Sequence, residues 1–311
     1  LDESKLDETF ERFEFNHPIY ILYSSGTTGK PKCITHGAGN VLIEHNKEFM
    51  LHCDIRNNEK LFYYTTTGWM MWNWLVGGLA TGSSIFLFDG APTYPKIDVL
   101  LEYCQSKKIN LFGVSAKYID HLKNEKFNSK HLDLTSIKII TSTGSPLSEE
   151  SFKYVYDNIK HDVHLASIAG GTDMVGCLVL GNLYSNVYKG EIQGQSLAID
   201  VDVFTDDGKS VKDGEKGELV VKQPFPSMPV KFWGDKSGEK YHKAYFNRFK
   251  NIWHHGDFIE RTSSNGFIMR GRSDATLNPG GVRIGTSEIY QQVEDIDFIT
   301  EGLVVGQNYK D

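Results

Sequence analysis

Tyr23-Ser24-Ser25-Gly26-Thr27-Thr28-Gly29-Lys30-Pro31-Lys32 is the stretch whose reading decides the fold. Ahead of it, His17-Pro18-Ile19-Tyr20-Ile21-Leu22-Tyr23 is β-branched, aromatic and apolar, which reads as a buried strand. Ser24, Ser25, Thr27 and Thr28 set hydroxyls beside Gly26 and Gly29, and Lys30 and Lys32 add positive charge. Glycine lets backbone N–H groups approach anionic oxygens, hydroxyls donate to them, and ammonium groups balance their charge. A loop of this make-up suits a polyphosphate. It is not a Walker loop: Gly26 and Gly29 stand too close together, and Pro31 follows the lysine where Ser or Thr is required. Such residues between two strands also make an ordinary polar turn, so other stretches must decide.

Working outward, the span from Asn40 to Cys53 reads as a helix, with Leu42, His45, Phe49 and Cys53 at helical spacing. Leu61 to Thr67 reads as a strand that runs into the aromatic cluster Gly68-Trp69-Met70-Met71-Trp72-Asn73-Trp74. Ile85 to Phe88 is a short buried strand, Asp98 to Ser106 a helix, Asn110 to Val114 a strand and Lys117 to Lys123 a helix. Ile137 to Thr141 is a strand, and Ser148 caps a helix whose first turn carries Glu149 and Glu150. Strands alternating with helices predict an α/β fold, a mixed sheet covered by helices on both faces. Near Ser196 the texture changes. Val201 and its neighbours alternate strictly, Asp206-Asp207-Gly208-Lys209 is a turn, and Gly217 to Val221 is the return strand. Phe258 to Arg261 and Phe267 to Arg270 make a second hairpin, and Ser287 to Val293 reads as helical. Three units are expected: 1–189, an α/β body; 190–273, a small β-rich, distorted barrel-like subdomain; and 274–311, a hinge and the start of a further domain.

The chain's 311 residues, 40% hydrophobic and 23% charged, suit an ordinary globular protein of about two domains. A net charge of −7 and a pI near 5.9 argue against a general nucleic-acid surface, so any phosphate site is local. Cys33, Cys53, Cys104 and Cys177 are scattered, without the spacing of a zinc site or a disulfide framework, which fits reduced thiols in a cytoplasmic protein. No apolar run reaches the ~20 residues needed to span a membrane. Leu1 is not Met, Asp2 to Glu14 resembles neither a signal nor a transit peptide, and the chain stops just after the strand candidate Leu303-Val304-Val305. A fragment, cut at both ends, is expected.

Three further stretches carry chemistry. Ala169-Gly170-Gly171-Thr172-Asp173 places a hydroxyl and a carboxylate after a glycine turn, which suits Mg²⁺ bridging phosphates as well as a plain Asx turn. His255-Gly256-Asp257 puts a carboxylate where it can accept both hydroxyls of a ribose. Gly271-Arg272-Ser273-Asp274, followed by Gly281-Val282-Arg283-Ile284-Gly285, offers two arginines suited to ribose and phosphate oxygens.

Together and in this order, these stretches resemble the adenylate-forming superfamily of acyl-CoA synthetases, luciferases and peptide-synthetase adenylation domains. Ser24 to Lys32 matches its phosphate loop almost without change, and Gly171-Thr172-Asp173 its Thr-Glu motif with Asp for Glu. His255-Gly256-Asp257 is similar to its ribose-binding T-G-D, and Gly271 to Asp274 to the approach to its hinge, here placed at Asp274. Phe62 to Leu75 and Pro279 to Arg283 resemble the acetoacetate-activating branch in particular.

The resemblance implies that superfamily's N-terminal-domain fold and its chemistry. An acid attacks the α-phosphorus of ATP, pyrophosphate leaves, and CoA takes the acyl group, with Mg²⁺ required. Thr27, Thr28 and Lys30 would hold the leaving phosphates and Thr172 the α-phosphate, with Ser25 and Gly171 also in the ATP/AMP site. Asp173 would bind the metal, Asp257 and Arg272 the ribose, Arg283 a phosphate, and Gly144-Ser145-Pro146 the adenine. Thr172, Asp173 and Arg283 are the expected catalytic residues. Trp69, Met70, Met71, Thr143 and Gly170 are expected to line the acyl pocket, although Trp72 and Trp74 suit a plain aromatic core equally well. Acetyl-CoA synthetases carry a tryptophan two residues before the motif threonine; Gly170 stands there in this chain, which predicts room for a four-carbon keto acid. Ala169 takes the place of an aromatic residue against adenine, and nothing after Ile284 resembles the lysine motif of the superfamily's small C-terminal domain. Poor adenylation by this chain alone is therefore expected. Other short-chain or aryl acids, and a catalytically silent ATP- or AMP-binding module, stay open as alternatives. The partners expected are small molecules only, with no nucleic acid or membrane, in lipid and fatty-acid metabolism; the oligomeric state is left open.

Overall fold

The computed structural model describes residues 10–24, 31–275, 277, 286–294, 296, 299 and 302–305. Strands β1 (Pro18–Ser24) and β2 (Lys32–Gly37) pair antiparallel. β1 is an edge strand, not the buried strand its composition suggests: Tyr23 is 67% exposed, and Ile19 and Ile21 face outward too. An apolar strand is buried only if another element covers it, and β1 has β2 on one side alone.

Helix α1 (Ala38–Lys47) follows and continues into a π-helical turn, Glu48–His52. β3 (Lys60–Tyr63), α2 (Met70–Gly77) and β4 (Ser84–Phe86) come next, then α3 (Val99–Lys107), β5 (Leu111–Ser115) and α4 (Ala116–Asn124). β6 (Ile139–Thr143), α5 (Glu149–Tyr154) and β7 (His164–Ser167) complete a five-stranded parallel sheet in the order β4-β3-β5-β6-β7. Expected as buried over Ile85 to Phe88, β4 is instead a half-exposed edge that ends at Phe86. Ser148 does cap α5, its Oγ accepting the Ser151 N–H at 3.2 Å.

Both faces of this sheet are covered, which is why its strands read as unbroken apolar runs. Phe62, Phe112, Val114, Ile140 and Leu165 pack under α3, α4 and α5. From the opposite face Leu61, Tyr63, Leu111, Ile139 and Ala166 meet Phe49, Met71, Trp74 and Leu75.

A short hairpin, β8 (Ala169–Gly171) and β9 (Gly176–Leu180), is extended by β10 (Gly194–Gln195). β11 (Val201–Phe204) and β12 (Lys216–Val221) are antiparallel as expected. After β13 (Lys231–Phe232), which joins β2, and α6 (Glu239–Phe246), β14 (Trp253–Arg261) and β15 (Phe267–Arg272) form the second expected hairpin. The sheet β11-β12-β14-β15 is open, and no closed barrel forms among the described residues. Its core takes Ile34, Met174, Leu178 and Val179 from earlier in the chain, alongside Val203, Leu219 and Ile259. Helix α7 (Thr286–Glu294) is held to β12 by the Lys216–Glu288 ion pair. Leu303-Val304-Val305, read as a strand, lies in none; Leu303 is 84% exposed. No described helix is long and apolar enough to cross a membrane.

Candidate active site

Strand order reverses between β3 and β5, and ligands of such sheets sit beyond the carboxyl ends of the strands at that point. Two of the predicted stretches, Trp69 and Gly144-Ser145-Pro146, come out there, together with Ser115. Trp69 caps α2 just after β3, Ser115 caps α4 after β5, and Gly144-Ser145-Pro146 leaves β6 exposed. Gly144 has φ +94°, and a Cβ on it would stand 3.7 Å from the Trp69 ring. Thr143 Oγ1 donates to the Ile168 carbonyl at 2.8 Å, tying the end of β6 to the entry of β8.

The β8–β9 turn, Thr172 to Val175, carries the second group. Asp173 pairs with Lys32 at the start of β2 and accepts from the Tyr245 hydroxyl of α6 at 2.6 Å. Both bonds go to Oδ1. Burial alone would raise the pKa of Asp173; the charges of Lys32 and His255, with the bonds from Lys32 and Tyr245, outweigh it and hold the carboxyl below its usual range. Tyr245 is pushed the other way, by burial and by Asp173, so it stays a donor. It stacks on Trp253 with ring centroids 3.7 Å apart, which fixes its place.

His255 lies against the same turn, its Nε2 3.4 Å from the Gly170 carbonyl oxygen and 3.6 Å from Asp257 Oδ2. Asp257, almost fully buried, takes Arg272 Nη1 at 3.0 Å, across the register Asp257↔Arg272 of β14 and β15. Gly256 has φ +88°, and a Cβ there would come within 2.9 Å of the Arg272 guanidinium. Arg272 is half-exposed and reaches on to Asp274, 3.8 Å away. Lys32, Thr172, Asp173, Tyr245, His255, Asp257 and Arg272 thus form one continuous cluster. Ser25, Thr27, Thr28, Lys30 and Arg283 lie outside the described residues.

Two observations bear on the expected acyl pocket. A Cβ on Gly170 would collide with the Gly176 carbonyl oxygen and lie 2.6 Å from Cys177 Cα. A side chain at 170 therefore meets the β9 backbone unless that backbone shifts. Met71, 2% exposed, is packed into the core with Trp74, whose indole N–H donates to Glu48 at 2.6 Å. Trp74 is core. Trp69 and Met70 are half-buried at its margin. Ala169, in the expected adenine position, packs against the core of the antiparallel sheet.

The turn is also held from behind. The His36 Nε2–H donates to the Thr172 carbonyl at 2.9 Å, and the His45 Nε2–H to the Val175 carbonyl at 2.7 Å. Cys177 N–H donates to Glu48 at 2.6 Å, and the His52 Nδ1–H to the Gly181 carbonyl at 2.8 Å. Burial lowers His36, His45 and His52 to about 4, so all three are neutral near pH 7. It raises Glu48 to about 8, helped by the neighbouring Glu44 charge. Lys47 pairs with Glu44 at 2.7 Å and donates to Ser196 Oγ at 2.6 Å. Among His36, His45, Glu48 and His52, the sequence pattern singles out only His45, as a helix position. Their partners lie more than a hundred residues away, and only the pattern of polar residues on an otherwise buried helix face hinted at them.

No group of three or more His, Cys, Asp or Glu side chains is placed to hold a metal ion among the described residues. Asp173 Oδ2, which takes neither of the bonds above, suits the single carboxylate that Mg²⁺ needs when phosphates and water supply its other oxygens.

Comparison with known proteins bears on the family and the overall fold. The family described as AMP-binding enzyme matches residues 2–228. Acetoacetyl-coenzyme A synthetase of Rhizobium meliloti (strain 1021) is 57% identical over 303 residues, covering 97% of this chain and 46% of the relative. Acetoacetyl-CoA synthetase of Gallus gallus is 48% identical over 97% of the chain and 45% of the relative. Among solved structures, acetoacetyl-CoA synthetase from Streptomyces lividans superposes with a TM-score of 0.92 at 40% identity, over 98% of this chain and 47% of that one. The chain spans about half the length of the curated relatives it matches.

Proposed function

This chain belongs to the AMP-binding enzyme family, and from that premise we propose that it is the core of an ATP-dependent acid–CoA ligase that activates acetoacetate. The observation that carries the reading is the meeting of Lys32, at the exit of the phosphate loop, with Asp173 of the Thr172–Asp173 turn. Lys32, the last residue of the hydroxyl-rich stretch, thereby meets a carboxylate, a cation and an anion of the kind that a magnesium–triphosphate draws on.

In the reaction a carboxylate oxygen of the acid attacks the α-phosphorus of ATP. The new O–P bond forms as the bond to the β-phosphate oxygen breaks, and pyrophosphate leaves with the electron pair. An acid ionised at pH 7 is already a nucleophile, so the protein's work is positioning and charge stabilisation. Thr172 is suited to donate to the α-phosphate, Asp257 to accept from the ribose hydroxyls, and Arg272 to support Asp257. Ser25, Thr27, Thr28, Lys30 and Arg283 are assigned the remaining phosphate contacts, and Gly144-Ser145-Pro146 the adenine. Bound Mg²⁺ would neutralise charge on the phosphates, with Asp173 as its protein ligand. CoA thiol then displaces AMP from the acyl-adenylate.

Asp274 remains the hinge in this reading, with divisions after residues 189 and 273. The free cysteines suit a reducing compartment, and we assign the protein to the cytoplasm. The choice of acetoacetate rests on the similarity to acetoacetyl-CoA synthetases. The test is ATP–pyrophosphate exchange by the full-length protein with acetate, butyrate, benzoate and acetoacetate. Acetoacetate should give the highest kcat/KM. Preference for another acid would replace the substrate, and ATP binding with no exchange for any acid would reduce the protein to a nucleotide-binding module.

A further inference from the structure

The buried row behind the Thr172–Asp173 turn has a regular form. His36, His45, Glu48 and His52 meet Thr172, Val175, Cys177 and Gly181 in the same order along both segments. α1 and its π-helical turn thus run alongside the β8–β9 hairpin, with a polar contact every few residues. Every contact in the row goes to backbone, so it specifies where the hairpin lies and not which side chains it carries.

Two further features show that the hairpin is held in a position it would not adopt unaided. Val175 has φ +51°, in the left-handed region, where a β-branched residue is strained. Its carbonyl is the one His45 holds. Gly176 lies so close to α1 that a Cβ would stand 2.8 Å from Glu44 Cγ. The His45 ring is itself fixed, because a Cβ on Gly77 of α2 would collide with its Nδ1. At the far end, Leu197 N–H donates to His52 Nε2 at 3.1 Å, which sets the ring's neutral tautomer.

α1 follows directly on β2, and β2 begins at Lys32, where the phosphate loop ends. β2 and α1 therefore connect Lys32 to the residues that stand behind the turn. We propose that His36, His45, Glu48 and His52 are positioning residues that set the Thr172–Asp173 turn against Lys32 at the start of β2 for the adenylation step. This rests on the assignment of Thr172 and Asp173 to nucleotide chemistry. Misplacing a reacting group by about 1 Å can cost on the order of a hundredfold in rate, so such a frame has a catalytic consequence without touching substrate.

The experiment compares His45→Ala with His45→Gln in the full-length protein, Gln presenting an N–H near the place of Nε2. Hydrogen exchange over 168–181 and the kcat and KM of ATP–pyrophosphate exchange are read together. In His45→Ala, amides 172–177 should exchange about tenfold faster while those of β5 and β6 are unchanged. kcat should fall about tenfold with KM for ATP within about threefold, and His45→Gln should restore both. Unchanged amide exchange at 172–177 would overturn the proposal, as would faster exchange there with kcat intact. A wild-type protein inactive with every acid would instead refute the functional assignment, while amide exchange still reports whether the row holds the turn. If His45→Ala does not fold, His36→Leu against His36→Gln makes the same comparison one contact nearer Thr172.

Discussion

The Thr172–Asp173 turn is gripped from two sides by different means. Toward α1, neutral and fully buried groups hold its backbone: three imidazoles, and Glu48 with its pKa raised to about 8. Toward β14 and β15, charged groups predominate, with the Asp257–Arg272 pair reaching the surface at a half-exposed guanidinium. A dry interior penalises charge and rewards satisfied neutral hydrogen bonds, so it suits a scaffold that stays in place. Charges near solvent cost less and remain free to exchange partners, which suits groups that must release one another for a ligand. The same turn is thus fixed on one side and available on the other.

The sharpest break in this comparison lies between the two sides, at Asp173. Asp173→Asn keeps the shape, removes the charge that faces Lys32, and should lower ATP–pyrophosphate exchange by about a hundredfold. Retained activity within about threefold would remove Asp173 from the reaction.

Next comes pH dependence, where the α1 side should dominate stability. The three histidines have folded pKa values near 4, below the ordinary 6.5, so their contribution is complete above pH 6.5 and is lost as pH falls toward 4. The limit is about 3 kcal/mol per ring. Glu48 has the opposite sign: its folded pKa is raised, so its contribution is complete below pH 4.5 and is lost as pH rises through about 8. These four groups together place a stability maximum near pH 6.5. Urea unfolding across pH 4 to 9 checks it, and Glu48→Gln should flatten the limb between pH 6.5 and 8. A flat profile below pH 6.5 would show that the rings titrate normally.

The smallest effect is expected on the charged side. Arg272→Gln should shift stability by less than about 0.5 kcal/mol, because the guanidinium is half-exposed. ATP binding should weaken about fivefold through the loss of support for Asp257. Calorimetric titration and thermal unfolding of one preparation separate the two, and a large stability loss with unchanged binding would make the pair structural.

Much of this was legible in the chain itself. The alternation of strands and helices, the Ser148 cap and both antiparallel hairpins follow from periodicity and turn chemistry, which act over a few residues. Asp257 and Arg272 were expected in one site, and the register of β14 on β15 sets them opposite each other. What failed, failed for want of neighbours: β1 and β4 read as buried from composition, yet each is an edge strand. At Gly170 the sequence shows only that a side chain is missing, and what one would meet there is set by β9.

The sequence by itself determined the chemistry that Tyr23 to Lys32 and Thr172-Asp173 can perform, because donor type, charge and backbone freedom belong to the residues. Tertiary structure alone decided that Lys32 and Tyr245 meet Asp173, and that the histidines around α1 stand behind the turn. Those contacts join segments 72 to 141 residues apart, and no local preference carries information over that distance.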